Sequence, residues 1–348
     1  MRLLETLGID LPIIQAPMAG VSSPALAAAV ADAGALGSIG VGATDAGGAR
    51  RMIAAVRERT RRSFNVNVFC HQPAKADRLV EAAWLEHLRP HFERLGAKPP
   101  SALKEIYRSF VEDEAMLAAF LADKPRVVSF HFGLPSAERM RALRDAGIVL
   151  LASVTSLDEG RAAVDAGAHA LVAQGYEAGG HRGVFDADAK DDCIGTIALT
   201  RLLARRLEVP VIAAGGIMDG AGIAAALRLG ASAAQLGTAF IACPESDADP
   251  GYRQALASDA AYHTVMTRAV SGRPARCLSN RFTVLGEGVA AHLIPAYPLA
   301  YDVGKALNAA AKAVHESGYG AQWAGQGAPL CRTLPAAELV AALAEECR

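Results

Sequence analysis

The chain has 348 residues, too many for one small core and few for two large domains, so one large domain with an elaboration, or two domains, is expected. Hydrophobic residues make up 52% and aromatics only 5%, which suits buried Val/Ile/Leu strands covered by Ala-rich helices. With 35 basic and 36 acidic side chains the formal net charge is −1, which argues against nucleic acid or a membrane surface as partner.

The six cysteines (Cys70, Cys193, Cys243, Cys277, Cys331 and Cys347) form no CxxC pair and no Cys/His metal spacing. They read as reduced thiols of a cytoplasmic protein, and no metal is expected. Residues 11–31 lack charge, but Pro12, Pro17 and Pro24 break any spanning helix, and no basic stretch with a cleavage site leads the chain. Neither a membrane segment nor a signal peptide is expected.

Along the chain, short apolar runs alternate with glycine-rich or polar turns and helical stretches. "PIIQAP" (12–17) reads as a strand and "PALAAAVADAG" (24–34) as a helix; "LGSIGVG" (36–42) and "FNVNVF" (64–69) are further strands. After them come strand patterns at 126–132, 147–154, 168–175, 209–216 and 231–238, with helical segments such as 136–147 and 220–231 between. Eight strands with intervening helices predict a closed (β/α)8 TIM barrel of class α/β, with an open doubly wound sheet as the competitor. Residues 70–123 and 240–320 do not fit the repeat and leave from carboxyl ends of strands. They are expected to form a smaller helical cap over a barrel made of 1–69, 124–239 and 321–348.

Barrel enzymes place their chemistry at the carboxyl ends of the strands. Standing there are Ala16, Pro17 and Met18 after the first strand, Asn67 on the third, His131 at the end of the fourth and Gln174 after the sixth. Gly215 and Gly216 follow the seventh strand, and Gln235, Leu236, Gly237 and Thr238 end the eighth. Two glycine turns on adjacent strands, each opening a helix, suit a phosphate held by backbone N–H groups, although a glycine pair also serves any tight turn. Asn67 and Gln174 could border a flat heteroaromatic ring such as a flavin, or simply anchor loops. His131 could accept a proton, bind an anion or be a hydrogen-bonded structural residue. In "QGYEAGGHRG" (174–183), Gly179 and Gly180 allow close backbone approach, while His181 could touch cofactor or substrate or merely fix the loop.

The motifs "PIIQAPMAG", "SFHFGLP", "QGYEAGGHRG", "AAGGI", "AQLGTAF" and "QWAGQGAPLCRTLPA" together resemble the nitronate monooxygenases, most closely their class I group, over residues 12 to about 337. The resemblance implies an FMN-dependent monooxygenase that oxidises alkyl nitronates, propionate 3-nitronate among them, with O2 to a carbonyl compound and nitrite. It implies FMN contacts from the strand-end residues just named together with Gly179 and Gly180, and an active-site role for His131. It also implies a substrate pocket lined by Tyr107, Tyr252, Tyr297, Tyr301 and Lys305. The spacing of Tyr297, Tyr301 and Lys305 would place them on one face if that segment is helical; a packing stripe is the alternative. The partners so implied are a small anionic molecule and O2, on a monomer or homodimer.

Three rivals stay open. An NAD(P)H-dependent FMN reductase of the enoyl-acyl-carrier-protein or quinone type shares "EAGGH" and the phosphate turns. An IMP dehydrogenase-like enzyme would use Cys193 as nucleophile, but "KDDCIGT" lacks the preceding glycine run. A flavin-binding protein without turnover is the third.

Overall fold

The computed structural model describes residues 3–348. Eight barrel strands carry the core: β1 (Ile13–Gln15), β2 (Gly37–Gly40), β3 (Phe64–Phe69), β4 (Val127–His131), β5 (Val149–Val154), β6 (Ala170–Gln174), β8 (Val211–Ala214) and β9 (Ala233–Leu236). The short β7 (Gly180–His181), with β10 (Thr264–Thr267) and β11 (Ala275–Leu278), belongs to a second, antiparallel sheet. All barrel pairings are parallel, in the order β1-β9-β8-β6-β5-β4-β3-β2. Ile14 bridges Leu36, and Gln15 N donates to the Leu36 carbonyl at 2.9 Å, so the first strand meets the second and the ring closes. This is the (β/α)8 barrel; the open sheet is excluded.

Apart from β3, which keeps the full 64–69, the strands are shorter than the apolar runs that signalled them. The 12–17 run gives only Ile13–Gln15, because Pro17 has no N–H for a ladder and the chain turns there into the barrel mouth. Alternation in β3 sorts its residues. Val66 and Val68 join Ile53 and Val56 in the outer layer, whereas Asn65 and Asn67 face inward and both donate to Ser129 Oγ at 2.9 Å. Leu3 and Leu7 of the first helix join the inward Ile14, Leu36, Leu151 and Ile212 in one apolar cluster.

Helix Arg78–Arg94 turns Trp84, Leu88 and Phe92 toward Val303, Leu307 and Ala311 of helix Leu299–Ala313, so the two segments that break the repeat share one apolar layer. Helix Glu114–Asp123 packs differently: its Met116 and Phe120 lie among Ile53, Val128 and Phe130 of the barrel. Phe110, just before that helix, joins the same barrel cluster rather than the layer of the two insertions. No described helix is long and apolar enough to cross a membrane.

Candidate active site

Barrel mouth and insertions enclose a cavity of about 1120 Å³. Every candidate site residue singled out in the sequence lines it except Leu236, which packs outward with Leu26 and Phe240, and Cys193, the rival nucleophile.

The floor is backbone. Gly215 (φ 128°) and Gly216 (φ 69°) sit in the left-handed region that favours glycine. They do not open a helix directly, as the sequence suggested. Helix Gly220–Arg228 starts later, and Asp219 caps it by accepting from Gly222 N at 2.8 Å. The groups offered to the cavity at this strand are therefore turn amides. After β9, Gly237 itself precedes the short helix Thr238–Ile241. Its φ of −105° suits any residue, and an added Cβ would meet nothing nearer than Ala16 Cβ at 3.4 Å. Neither backbone nor neighbours demand glycine at 237, so what glycine supplies there is free space toward the cavity. Gly179 differs: a Cβ would come within 2.4 Å of Gly325 N, so two backbones cross there. Ala16, Pro17, Met18 and Gln235 complete the floor.

The decapeptide 174–183 is a tied strap. Gly180 and His181 form β7 and pair with Arg276 and Ala275 of β11. Gln174 Nε2 donates to the His181 carbonyl at 2.9 Å, and Gly183 N donates to Gln174 Oε1 at 2.7 Å. Asn67 Nδ2 is engaged by Ser129, which leaves its Oδ1 without a donor among the described residues. Glu177 accepts from Thr196 N and Oγ1, both at 2.8 Å, and Arg182 pairs with Asp191 at 2.7 Å and reaches the Gln174 carbonyl. Of Glu177, His181 and Arg182, only His181 lines the cavity.

The walls carry titratable groups. His131 Nε2 lies 3.1 Å from the His181 carbonyl; a carbonyl only accepts, so Nε2 bears the proton and Nδ1 the lone pair. Burial, then the nearby Arg273 and Arg182 guanidinium groups, pull the His131 pKa down to about 4. His181 is likewise held well below 6.5, first by burial. Its Nε2 is 2.9 Å from Ser271 Oγ, which in turn donates to the Arg273 carbonyl at 3.3 Å. Two neutral imidazoles therefore stand side by side.

The roof comes from the insertions. Lys305 Nζ donates to Tyr107 Oη at 2.9 Å and lies 5.2 Å from the centre of that ring. Tyr301 and Lys305 share a face of helix Leu299–Ala313, but Tyr297 precedes that helix. Tyr297 instead packs edge-on to His181 at 5.4 Å between ring centres, its buried hydroxyl unpartnered among the described residues. Tyr252 Oη donates to the Trp323 carbonyl. Burial raises the Tyr252, Tyr297 and Tyr301 hydroxyls well above their usual range, so they remain donors.

Sequence reasoning missed Arg273, Ser271, His71 and Trp323. Arg273 is buried, 4.3 Å over the Phe132 ring, with no carboxylate in ion-pair reach among the described residues; burial pulls its pKa down to about 10. An unpaired buried cation beside two histidines makes the region hostile to imidazolium and favourable to an anion. Nothing local in "SGRPAR" signals this. His71, packed edge-on to Tyr297 at 4.9 Å, follows the carboxyl end of β3 and could have been found by that position.

A family model described as nitronate monooxygenase matches residues 1–346. The chain belongs to the nitronate monooxygenase family. It is 64% identical to the nitronate monooxygenase of Paraburkholderia phytofirmans, over 99% of this chain and 94% of that protein. It is 54% identical to the nitronate monooxygenase of Pseudomonas aeruginosa, over 100% and 99%. The solved nitroalkane oxidase from Streptomyces ansochromogenes superposes with a TM-score of 0.91 at 41% identity, over 99% of this chain and 97% of that one. This chain is thus an oxidoreductase of that family, and Cys193, exposed at the strap's far side, lies outside the cavity lining.

Proposed function

We propose that this enzyme oxidises alkyl nitronates, propionate 3-nitronate among them, using FMN and O2 and releasing a carbonyl compound and nitrite. The observation that carries the reading is one cavity with a glycine floor, two neutral imidazoles and a Lys305–Tyr107 cationic arm.

The floor fits FMN. Gly215, Gly216, Gly237, Thr238, Gly179 and Gly180 would take the phosphate side, where the space beside Gly237 admits close approach. Ala16, Pro17, Met18, Asn67, Gln174, Gln235 and Leu236, the last through its backbone, would border the ring. FMN, when bound, supplies the electron-accepting ring that passes electrons on to O2. The chain's own residues do the rest. Lys305, the Tyr107 and Tyr301 hydroxyls and the field of Arg273 hold the anion, and Tyr252 and Tyr297 shape the pocket. His131, which lines the cavity with its Nε2–H held by the His181 carbonyl, would take a carbon-bound proton from a neutral nitroalkane. A nitronate arrives already deprotonated and needs only the anion-binding groups. His181 lines the same wall and would touch substrate.

We assign the cap to about 70–109 and 240–320, over a barrel completed by 321–348. Six free cysteines agree with a reducing, cytoplasmic compartment, and neither nucleic acid nor membrane is expected as partner.

The test is anaerobic mixing of the FMN-loaded protein with propionate 3-nitronate and, separately, NADH, followed by O2 and a nitrite assay. Bleaching by the nitronate with nitrite release is expected. Bleaching by NADH alone would make the protein a reductase, and a protein that takes up no FMN would overturn the reading altogether.

A further inference from the structure

Tyr301, Lys305, Asn308 and Lys312 all line the cavity from helix Leu299–Ala313. Their spacings of four, three and four residues follow the helical turn, so they form one stripe. Tyr301 and Lys305 belong to the site above; Asn308 and Lys312 have no part in it. Lys312 stands two turns beyond Lys305, about 10 Å along the axis. Its side chain is 53% exposed, so this end of the stripe is the solvent rim.

At the rim the Lys312 ammonium meets Asp249 at 2.8 Å. Asp249 also lines the cavity, and it caps helix Pro250–Leu256 by accepting from Tyr252 N at 2.9 Å. The ion pair therefore links two roof elements beside the outer end of the cavity. Glu316, also on the rim, is bound to Arg94 at 2.8 Å and Arg281 at 2.5 Å. Lys312 is thus the rim cation whose carboxylate partner itself borders the opening. An ion pair this exposed contributes little to stability, so a second carboxylate can replace Asp249 at little cost.

We propose, building on the nitronate-oxidising reading, that Lys312 is an access and specificity residue for anionic substrates. It exchanges Asp249 for the arriving carboxylate and passes it along Asn308 to Lys305. A substrate with two negative charges gains more from this path than one with a single charge, and the gain is screened by salt over about 8 Å at physiological ionic strength.

The test uses the FMN-loaded Lys312→Gln and Asp249→Asn variants; Asn keeps a side-chain oxygen for the cap. Steady-state rates are compared on propionate 3-nitronate and on ethyl nitronate, at low and high salt. Lys312→Gln is expected to lower kcat/KM for the dianion about three- to tenfold, with kcat retained, a smaller loss on ethyl nitronate and a flattened salt dependence. Asp249→Asn is expected to raise kcat/KM for the dianion. Equal losses on both substrates, or no loss on the dianion, overturn the proposal. Calorimetric binding of 3-nitropropionate separates the two readings. Weaker binding by Lys312→Gln in a protein that oxidises no nitronate keeps the rim role and removes the nitronate reading, whereas equal binding removes the rim role.

Discussion

The floor and the roof of the cavity are built on opposite principles. The floor uses residues with little or no side chain at 179, 215, 216 and 237, so the ligand meets backbone held by the barrel strands. The roof uses long side chains, Tyr107, Tyr301 and Lys305, on elements that meet outside the barrel through apolar packing and polar contacts such as the Lys305–Tyr107 hydrogen bond. Where backbones cross, as at Gly179, the floor cannot be substituted without moving the chain, whereas a side-chain roof can be. On the proposed reading, binding of FMN belongs to the first and choice of substrate to the second.

The largest expected effect is at the floor. Gly179→Ala drives a Cβ into Gly325 N at 2.4 Å and should cost about 3 kcal/mol of stability, with loss of FMN retention. Thermal unfolding and the flavin content of the purified protein check it; an unchanged melting temperature would break the contrast. At the roof, Lys305→Met should raise KM for propionate 3-nitronate about 30-fold, roughly 2 kcal/mol, with kcat far less changed. A fall in kcat alone would move Lys305 from holding substrate to the chemical step.

Gly237→Ala sharpens the comparison because it meets no protein atom closer than 3.4 Å. Stability should stay within about 0.5 kcal/mol, while FMN affinity drops about tenfold, as fluorescence titration would read. Between floor and roof stands His131, neutral down to about pH 4. Its kcat/KM profile on a preformed nitronate should therefore show no His131 ionisation between about pH 5.5 and pH 8. An inflection near pH 6.5 that vanishes in His131→Asn would contradict this. The smallest effect is Cys193→Ser, which should leave turnover unchanged; inactivation would revive a cysteine nucleophile.

Most of the floor was legible because its signals are local. Glycine pairs after apolar runs, and amides at strand ends, need only the strand direction to be placed. The assumption that Gly215 and Gly216 open a helix failed because Asp219 supplies its own cap farther on. At the end of β9 neighbours alternate, so the Gln235 side chain takes the inward side and Leu236 offers the cavity at most its backbone. Tyr297 was read with the helix that follows it, since a spacing of four cannot reveal where a helix begins. Arg273 left no trace, because what distinguishes it is burial with no carboxylate in ion-pair reach among the described residues.

By itself the sequence determined an eight-strand α/β repeat, the residues that gather at its mouth and the glycine turns that floor the cavity there. All of these rest on periodicity and backbone preferences within a few residues. Only the tertiary structure decided that Tyr107 and Lys305, 198 positions apart, share a hydrogen bond, and that the 174–183 strap is pinned by β11 so that His181 and not Arg182 faces inward. Those outcomes depend on which apolar faces meet when distant segments pack, and no local pattern encodes the partner of a face.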